Sequence, residues 1–451
     1  MGIPSYFSYI IRNYSNIIRK DCNRVQILLM DCNSIIYDSY YDLQEKYKKT
    51  PFDISSIEDR LIKMTIKRIC DYILFISPDK LAYVTFDGVA PMAKMQQQRA
   101  RRYKSVFFSS SSTIWDTTNI TPGTSFMKKL SSDIKAYFSK KHSHLMNINV
   151  KTSCSDERGE GEHKLFQYLR ENDCKNDVVA VYGLDADLIM LSIFHMQYVK
   201  EIYVFREAPN FKTVISKTYP PGERLFLDIH KLFNCIFKEM GDYDPSTKQM
   251  RVHDYIFICF LLGNDFLPHI PAFSLRHNGM KDILETYNEI IGKYNNRSLI
   301  KEGEIEWEEM ELMMKSLGEK EEKRLKREVV EMDEKYINVG EEGWEERYYR
   351  RMFEKERSEE IKKEISRNYQ EMLTWVYKYY SEGCKNWEMK YNYRGVVLLK
   401  DIKILKNIKI EEKKESKSEE EQLKYIMPNG KKYKVEWLYK RYDWEYDVVF
   451  D

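Results

Sequence analysis

The sequence predicts an α/β domain with a mostly parallel central sheet flanked by helices, and a charged, helical C-terminal region packed on that domain. Three observations predict it. Short β-rich apolar runs alternate with longer helical patterns up to about residue 290. The clearest apolar runs end directly on carboxylates. Glu, Lys and Arg then dominate from Lys301 to about Arg367.

In chain order, a helix is expected after Pro4 and a strand over VQILLM, 25–30. A helix over 56–76 and the strand LAYVTF, 81–86, come next. Helices over 125–141 and 162–172 lead to the strands VVAVYG, 178–183, and EIYVF, 201–205. Parallel connections of this kind are right-handed. The 301–367 stretch reads as a solvated, salt-bridged helical insert, with a docking face for a protein partner as the alternative. No apolar heptad is sustained through it. Aromatic residues return over 369–395 and must pack on something, whereas KIEEKKESKSEEEQ, 409–422, reads as a flexible exposed loop.

A chain of 451 residues allows two or three domains. Its net charge is only +2, so any nucleic-acid binding must come from local segregation of charge. The eight cysteines form no CxxC pair and have no His partners at zinc spacing, which suits reduced thiols in an intracellular protein. No apolar stretch reaches the roughly 18–20 residues that span a bilayer. The N-terminus lacks a signal-peptide layout, and Tyr6 stands where a myristoylation signal has Ser or Thr. The expectation is a monomer of the cytoplasm or nucleus with no membrane association.

The informative pattern is where the acids fall. VQILLM is followed by Asp31, LAYVTF by Asp87, and VVAVYGL by Asp185 and Asp187. In an open α/β sheet, ligands bind beyond the carboxyl ends of the strands. Glu160 and Glu162 sit two apart on the Gly-flanked GEGEH, and Asp265 ends the apolar helix YIFICFLLGND. Each alone reads equally as a helix cap. Together they are costly, because two like charges about 4 Å apart repel by roughly 4 kcal/mol at an effective dielectric of about 20. Either some of them protonate or cations sit among them, and an all-oxygen set suits Mg²⁺ or Mn²⁺, with two ions able to drive an in-line phosphoryl displacement.

Asp87 stands at the start of FDGVAPMAKMQQQRARRYKS, which holds no acid from Gly88 to Ser105. As a helix it places Lys94, Gln98, Arg101 and Arg102 on one face. Forked Arg donors and a Lys point charge next to metal-site acids suit a terminal phosphate. The alternative is a solvated basic face that touches a phosphate backbone anywhere along its length.

These blocks resemble the 5′→3′ exoribonuclease (Xrn) family, within the PIN-like and flap-type 5′ nucleases. The resemblance rests on MGIPSYFSYI, MDCNSIIYD, FDGVAPMAKMQQQRARRYKS, IWDTTNITPGTSFM, GEGEHKLFQYLR, YGLDADLIML and CFLLGNDFLPHIP, in family order up to about residue 280. A weaker likeness to the family's second conserved region covers GWEERYYRRMF and YYSEGCKNWEMKYNY. It implies a catalytic nuclease domain over 1–290, a charged helical linker over 291–335 and a reduced second region over 336–451. It implies that Asp31, Asp87, Glu160, Glu162, Asp185, Asp187 and Asp265 are the catalytic, metal-binding acids. Lys94, Gln98, Arg101 and Arg102 would hold the 5′-monophosphate of single-stranded RNA.

This chain departs from the family pattern in places. Tyr37 stands where the family has a base-stacking His, and Trp387-Glu388-Met389 replaces a Trp-x-Trp, leaving Trp387 as a further stacking candidate. Met92 replaces an Arg and Arg158 a Pro, while His163 is read as a packing residue. The rivals to an exoribonuclease are a structure-specific flap-type DNA nuclease on the same scaffold and a catalytically silent RNA-binding scaffold.

Overall fold

The computed structural model describes residues 3, 6–108, 114–140, 145, 148–183, 185–208, 219–241, 244–275, 278–329 and 337–428, with the backbone of 433–437 and 446–450. Seven of its strands form one sheet: β1 (Ile18–Arg19), β2 (Ile27–Asp31), β3 (Leu81–Thr85), β4 (Val150–Ser153), β5 (Cys174–Tyr182), β6 (Val199–Glu207) and β7 (Arg224–Asp228). Their order is β1-β7-β6-β5-β2-β3-β4. Strands β2 to β6 run parallel, and β7 and β1 each run antiparallel to their neighbours. Leu29 of β2 lies opposite both Tyr83 and Val181, which sets the register at the centre.

Helices connect and cover these strands. They are α1 (Tyr6–Asn13), α2 (Asn33–Lys49), α3 (Ile57–Ile76), α4 (Met92–Phe108), α5 (Ser125–Phe138), α6 (Gly161–Glu171), α7 (Asp187–His195), α8 (Ile229–Glu239) and α9 (Lys248–Leu261). The C-terminal half adds α10 (Gly279–Tyr287), α11 (Trp307–Val329), α12 (Trp344–Phe353), α13 (Glu359–Ser381) and α14 (Glu419–Ile426). Successive strand residues face opposite sides of a sheet. Leu28 and Met30 therefore pack with Ile35, Leu61 and Phe126 from α2, α3 and α5. Ile27 and Leu29 pack the other way, into a core shared with α6, α7, α9 and the C-terminal helices.

All four expected strands are present, and the helices of 56–76, 125–141 and 162–172 form within a few residues of their expected limits. Strands β1, β4 and β7 carry no long apolar run, since they are short and lie at or next to the sheet edges. The charged insert departs from expectation. Met310, Met313, Met314, Leu317 and Leu325 of α11 are buried in the main core, so the helix is solvated on one face only. Its Glu321 is buried as well and accepts from the Leu399 backbone N–H at 2.9 Å. The expected loop of 409–422 ends in helix: Ser418 and Glu421 form a capping box that starts α14. Among the described residues, no helix is long and apolar enough to cross a membrane.

Candidate active site

Strand β2 lies between β5 and β3; the chain leaves it on one side and returns on the other. That reversal opens a crevice over the carboxyl ends of the strands. Asp31 ends β2, Asp87 lies two residues past β3, and Asp185 lies just beyond β5. Glu160 precedes α6, Glu162 is in its first turn, and Asp187 opens α7. Helix α9 stops at Leu261, earlier than expected, and Gly263 turns at a φ of 87° to bring Asp265 in from a loop. None of these acids makes the strong cap that Asp228 makes for α8, where its Oδ1 takes the Lys231 N–H at 3.0 Å. Asp31 reaches the Asn33 N–H only at 3.5 Å and Asp185 the Asp187 N–H at 3.4 Å. Asp87 instead accepts from the Gly161 N–H at 2.7 Å, which ties the β3 end to the start of α6.

A cavity of about 730 Å³ opens here, and Asp31, Asp87, Glu160, Glu162 and Asp185 line it. Asp187 and Asp265 do not line it but adjoin the cluster, where each acts on the charge of the other. Burial, with Asp87 and Asp185 adding repulsion, pushes the Asp31 carboxyl up to about 8. Burial and then Asp185 and Asp265 push Asp187 up to about 8, and burial raises Glu162 well above its usual range. Lys94 is the internal counter-charge, 2.6 Å from Glu160 Oε2 and 2.9 Å from Asp265 Oδ2. Burial would raise Asp265, yet Lys94 holds it at about 2.

This donor set fits a hard divalent cation. All the acids offer oxygen, and one lysine leaves most of their charge unbalanced. Asp187 Oδ1 is buried without a hydrogen-bond partner. Gly161 lets the Asp31 carboxylate come close to the start of α6: a Cβ there would stand 2.7 Å from Asp31 Oδ1. Ligand atoms of Glu160, Glu162 and His163 all lie within 4.8 Å of one another, so this group could hold an ion. His163, however, is stacked on Tyr379 with ring centroids 3.6 Å apart, and burial holds its pKa far below the usual value. The imidazole packs on the Tyr379 ring.

Lys94, Gln98, Arg101 and Arg102 line the same cavity from α4. Lys94 points at the acids, while Arg102 donates to the Ile120 carbonyl at 3.0 Å. Gln98 Oε1 and Arg102 Nε are buried with no hydrogen-bond partner, a costly arrangement unless a ligand supplies one. Tyr37 of α2 lines the cavity beside Arg102. Trp387 does not. Its ring lies against Arg158, 5.0 Å from the guanidinium carbon, and its carbonyl accepts from the Met92 N–H at 2.9 Å. The Trp387 backbone thus fastens the start of α4, and its ring packs on Arg158.

Two residues that sequence reasoning missed support the acids. Lys164 sends its ammonium to the Phe86 and Cys154 carbonyls at 2.8 and 2.9 Å, joining the ends of β3 and β4, and burial lowers its pKa to about 8. Its place in GEGEHK was the available signal. Tyr379 of α13 donates to Glu160 Oε1 at 2.7 Å, and no local pattern pointed to it.

The mostly parallel sheet thus delivers its carboxylates to the switch point, where α/β proteins bind ligands. Two family models match the chain: the XRN 5′-3′ exonuclease N-terminus over 1–111 and 107–208, and the Xrn1 helical domain over 247–337 and 323–442. The chain belongs to the Xrn family. It is 27% identical to the 5′-3′ exoribonuclease 2 homolog of Caenorhabditis elegans over 72% of this chain and 42% of that one. It is 29% identical to 5′-3′ exoribonuclease 1 of Saccharomyces cerevisiae over 64% of this chain and 21% of that one. The chain thus spans less than half the length of these curated relatives. Among solved structures, the catalytic core of Rad2 in complex with DNA substrate matches at a TM-score of 0.36 and 16% identity, over 72% of this chain and 79% of that one.

Proposed function

We propose that this chain is a metal-dependent 5′→3′ exoribonuclease that hydrolyses single-stranded RNA with a 5′-monophosphate end and releases nucleoside 5′-monophosphates. The observation that carries the reading is the cavity in which Asp31, Asp87, Glu160, Glu162 and Asp185 face Lys94, Gln98, Arg101 and Arg102. Those acids, with Asp187 and Asp265, would hold two divalent cations, Mg²⁺ or Mn²⁺. Such ions, when bound, activate water and neutralise the leaving oxygen of an in-line displacement. Arg101 and Arg102 grip the terminal phosphate, and Gln98 and Lys94 orient it between the helix and the acids. Tyr37 offers its ring face to the 5′ base. The scissile bond then lies over the acids because the end is held beside them.

The test is mononucleotide release from one RNA carrying a 5′-monophosphate or a 5′-hydroxyl, with Mg²⁺ or EDTA, beside a 5′-flap DNA. Release from the monophosphate RNA alone, and only with Mg²⁺, is expected. Equal cleavage of both RNAs would remove the phosphate pocket from the reading, and preference for the flap would favour the DNA nuclease. No cleavage of any substrate would favour a silent RNA-binding scaffold.

A further inference from the structure

The acids of the site lie within the first 265 residues, yet a helix of the second half reaches into them. Tyr379 follows Glu160 by 219 positions, and its hydroxyl donates to Glu160 Oε1 at 2.7 Å. Its ring is confined on three sides. It stacks on His163 with centroids 3.6 Å apart and on Trp375 at 4.7 Å, and meets Phe266 edge-on at 5.5 Å. The other Glu160 oxygen takes the Lys94 ammonium at 2.6 Å. Glu160 is therefore held at both oxygens by donors with little freedom to move. The next residue, Tyr380, packs on Phe260 with centroids 5.0 Å apart and carries its hydroxyl to Asp187.

A buried phenol does not have to find an acid in this protein. Tyr369, on the same helix, is fully buried and its hydroxyl has no hydrogen-bond partner. The meeting of Tyr379 with Glu160 is thus a specific placement. Groups that hydrogen-bond a metal-holding carboxylate fix its orientation, and losing one weakens metal binding about 10–100-fold.

We propose that Tyr379 is a positioning residue for the acid cluster: its hydroxyl sets Glu160 in the orientation that takes a divalent cation, so that metal affinity is set jointly by the two halves of the chain. The proposal rests on the metal-dependent reading above. Its test is Mn²⁺ binding to the RNA-free protein, followed by electron paramagnetic resonance, in wild type, Tyr379→Phe and Tyr380→Phe. Phenylalanine keeps the ring stack and removes only the hydroxyl. Tyr379→Phe is expected to bind Mn²⁺ at least about tenfold more weakly. Its melting temperature, and its affinity in EDTA for a 5′-phosphorylated oligoribonucleotide, should match wild type. Tyr380→Phe is expected to lose Mn²⁺ affinity in the same direction. Superimposable Mn²⁺ curves for wild type and Tyr379→Phe would overturn the proposal alone. A parallel fall in melting temperature, EDTA affinity and Mn²⁺ affinity would make Tyr379 a residue of the fold, which also overturns it. A wild-type protein that takes up no Mn²⁺ would remove both this proposal and the reading beneath it.

Discussion

Lys94 places its ammonium 2.6 Å from the Glu160 carboxylate, in the same cavity wall that carries Gln98, Arg101 and Arg102. The residue expected to hold phosphate is also the counter-ion of the acids. Lys94→Met leaves Glu160 and Asp265 without their buried counter-charge, which costs about 3–5 kcal/mol of stability. Urea unfolding in EDTA measures that loss. Added Mg²⁺ should restore more stability to the variant than to wild type, because the ion replaces the missing charge. An equal effect of Mg²⁺ on both proteins would show that Lys94 does not share the acids with the metal.

Gly161 tests the fit of the acids without changing any of them. A methyl group there would stand 2.7 Å from Asp31 Oδ1, so Gly161→Ala must displace that carboxylate. The expected outcome is a fall in the rate of nucleotide release of about 100-fold, with little change in melting temperature. Near-wild-type turnover would mean that Asp31 does not need its present position.

Tyr37 and Trp387 were both candidates for base stacking, and the structure distinguishes them. Only Tyr37 lines the cavity. Tyr37→Ala should weaken binding of a 5′-phosphorylated RNA by about 1–3 kcal/mol, and Tyr37→Phe should retain most of the affinity because it retains the ring. Trp387→Phe should leave that affinity unchanged, as read by fluorescence anisotropy in Ca²⁺. A large loss from Trp387→Phe would show that the ring meets RNA outside the cavity.

Stability should carry a pH signature from Glu321. Burial, opposed by the Leu399 and Lys400 N–H groups, raises its carboxyl from 4.5 to about 7. The folded state then binds the proton more tightly than the unfolded state does. Its contribution is full below the unfolded value and is lost as pH rises through about 7. The effect is on the order of 3 kcal/mol. Glu321→Gln should flatten the pH dependence of chemical denaturation in that window, and an unchanged slope would assign the dependence to other groups.

The acids were legible because their signal is local: an apolar run names the strand, and the next polar residue names the sheet edge. Lys94, Gln98, Arg101 and Arg102 were legible for the same reason, as one face of one helix. That Lys94 turns toward Asp265, 171 positions away, depends on a loop whose path no short window contains. That Trp387 lies outside the cavity was not legible because its neighbours, Arg158 and Met92, come from distant parts of the chain. In α11 the density of Glu and Lys hid three methionines and two leucines that share the buried face. Tyr379 was read only as one of many rings that had to pack, since a hydroxyl acquires its role from the partner it meets.

The start of α4 is fastened from far along the chain, by the Trp387 carbonyl on the Met92 N–H and by Gln422 Oε1 on the Ala90 N–H at 2.9 Å. A fragment cut at residue 383 would keep every acid and every side chain of the basic face. It would also lose both anchors that aim that face, like a gauge whose zero mark has come loose. The first half is therefore not a transplantable cartridge: grafted elsewhere, it would carry the acids and the cations without the anchors that aim one at the other.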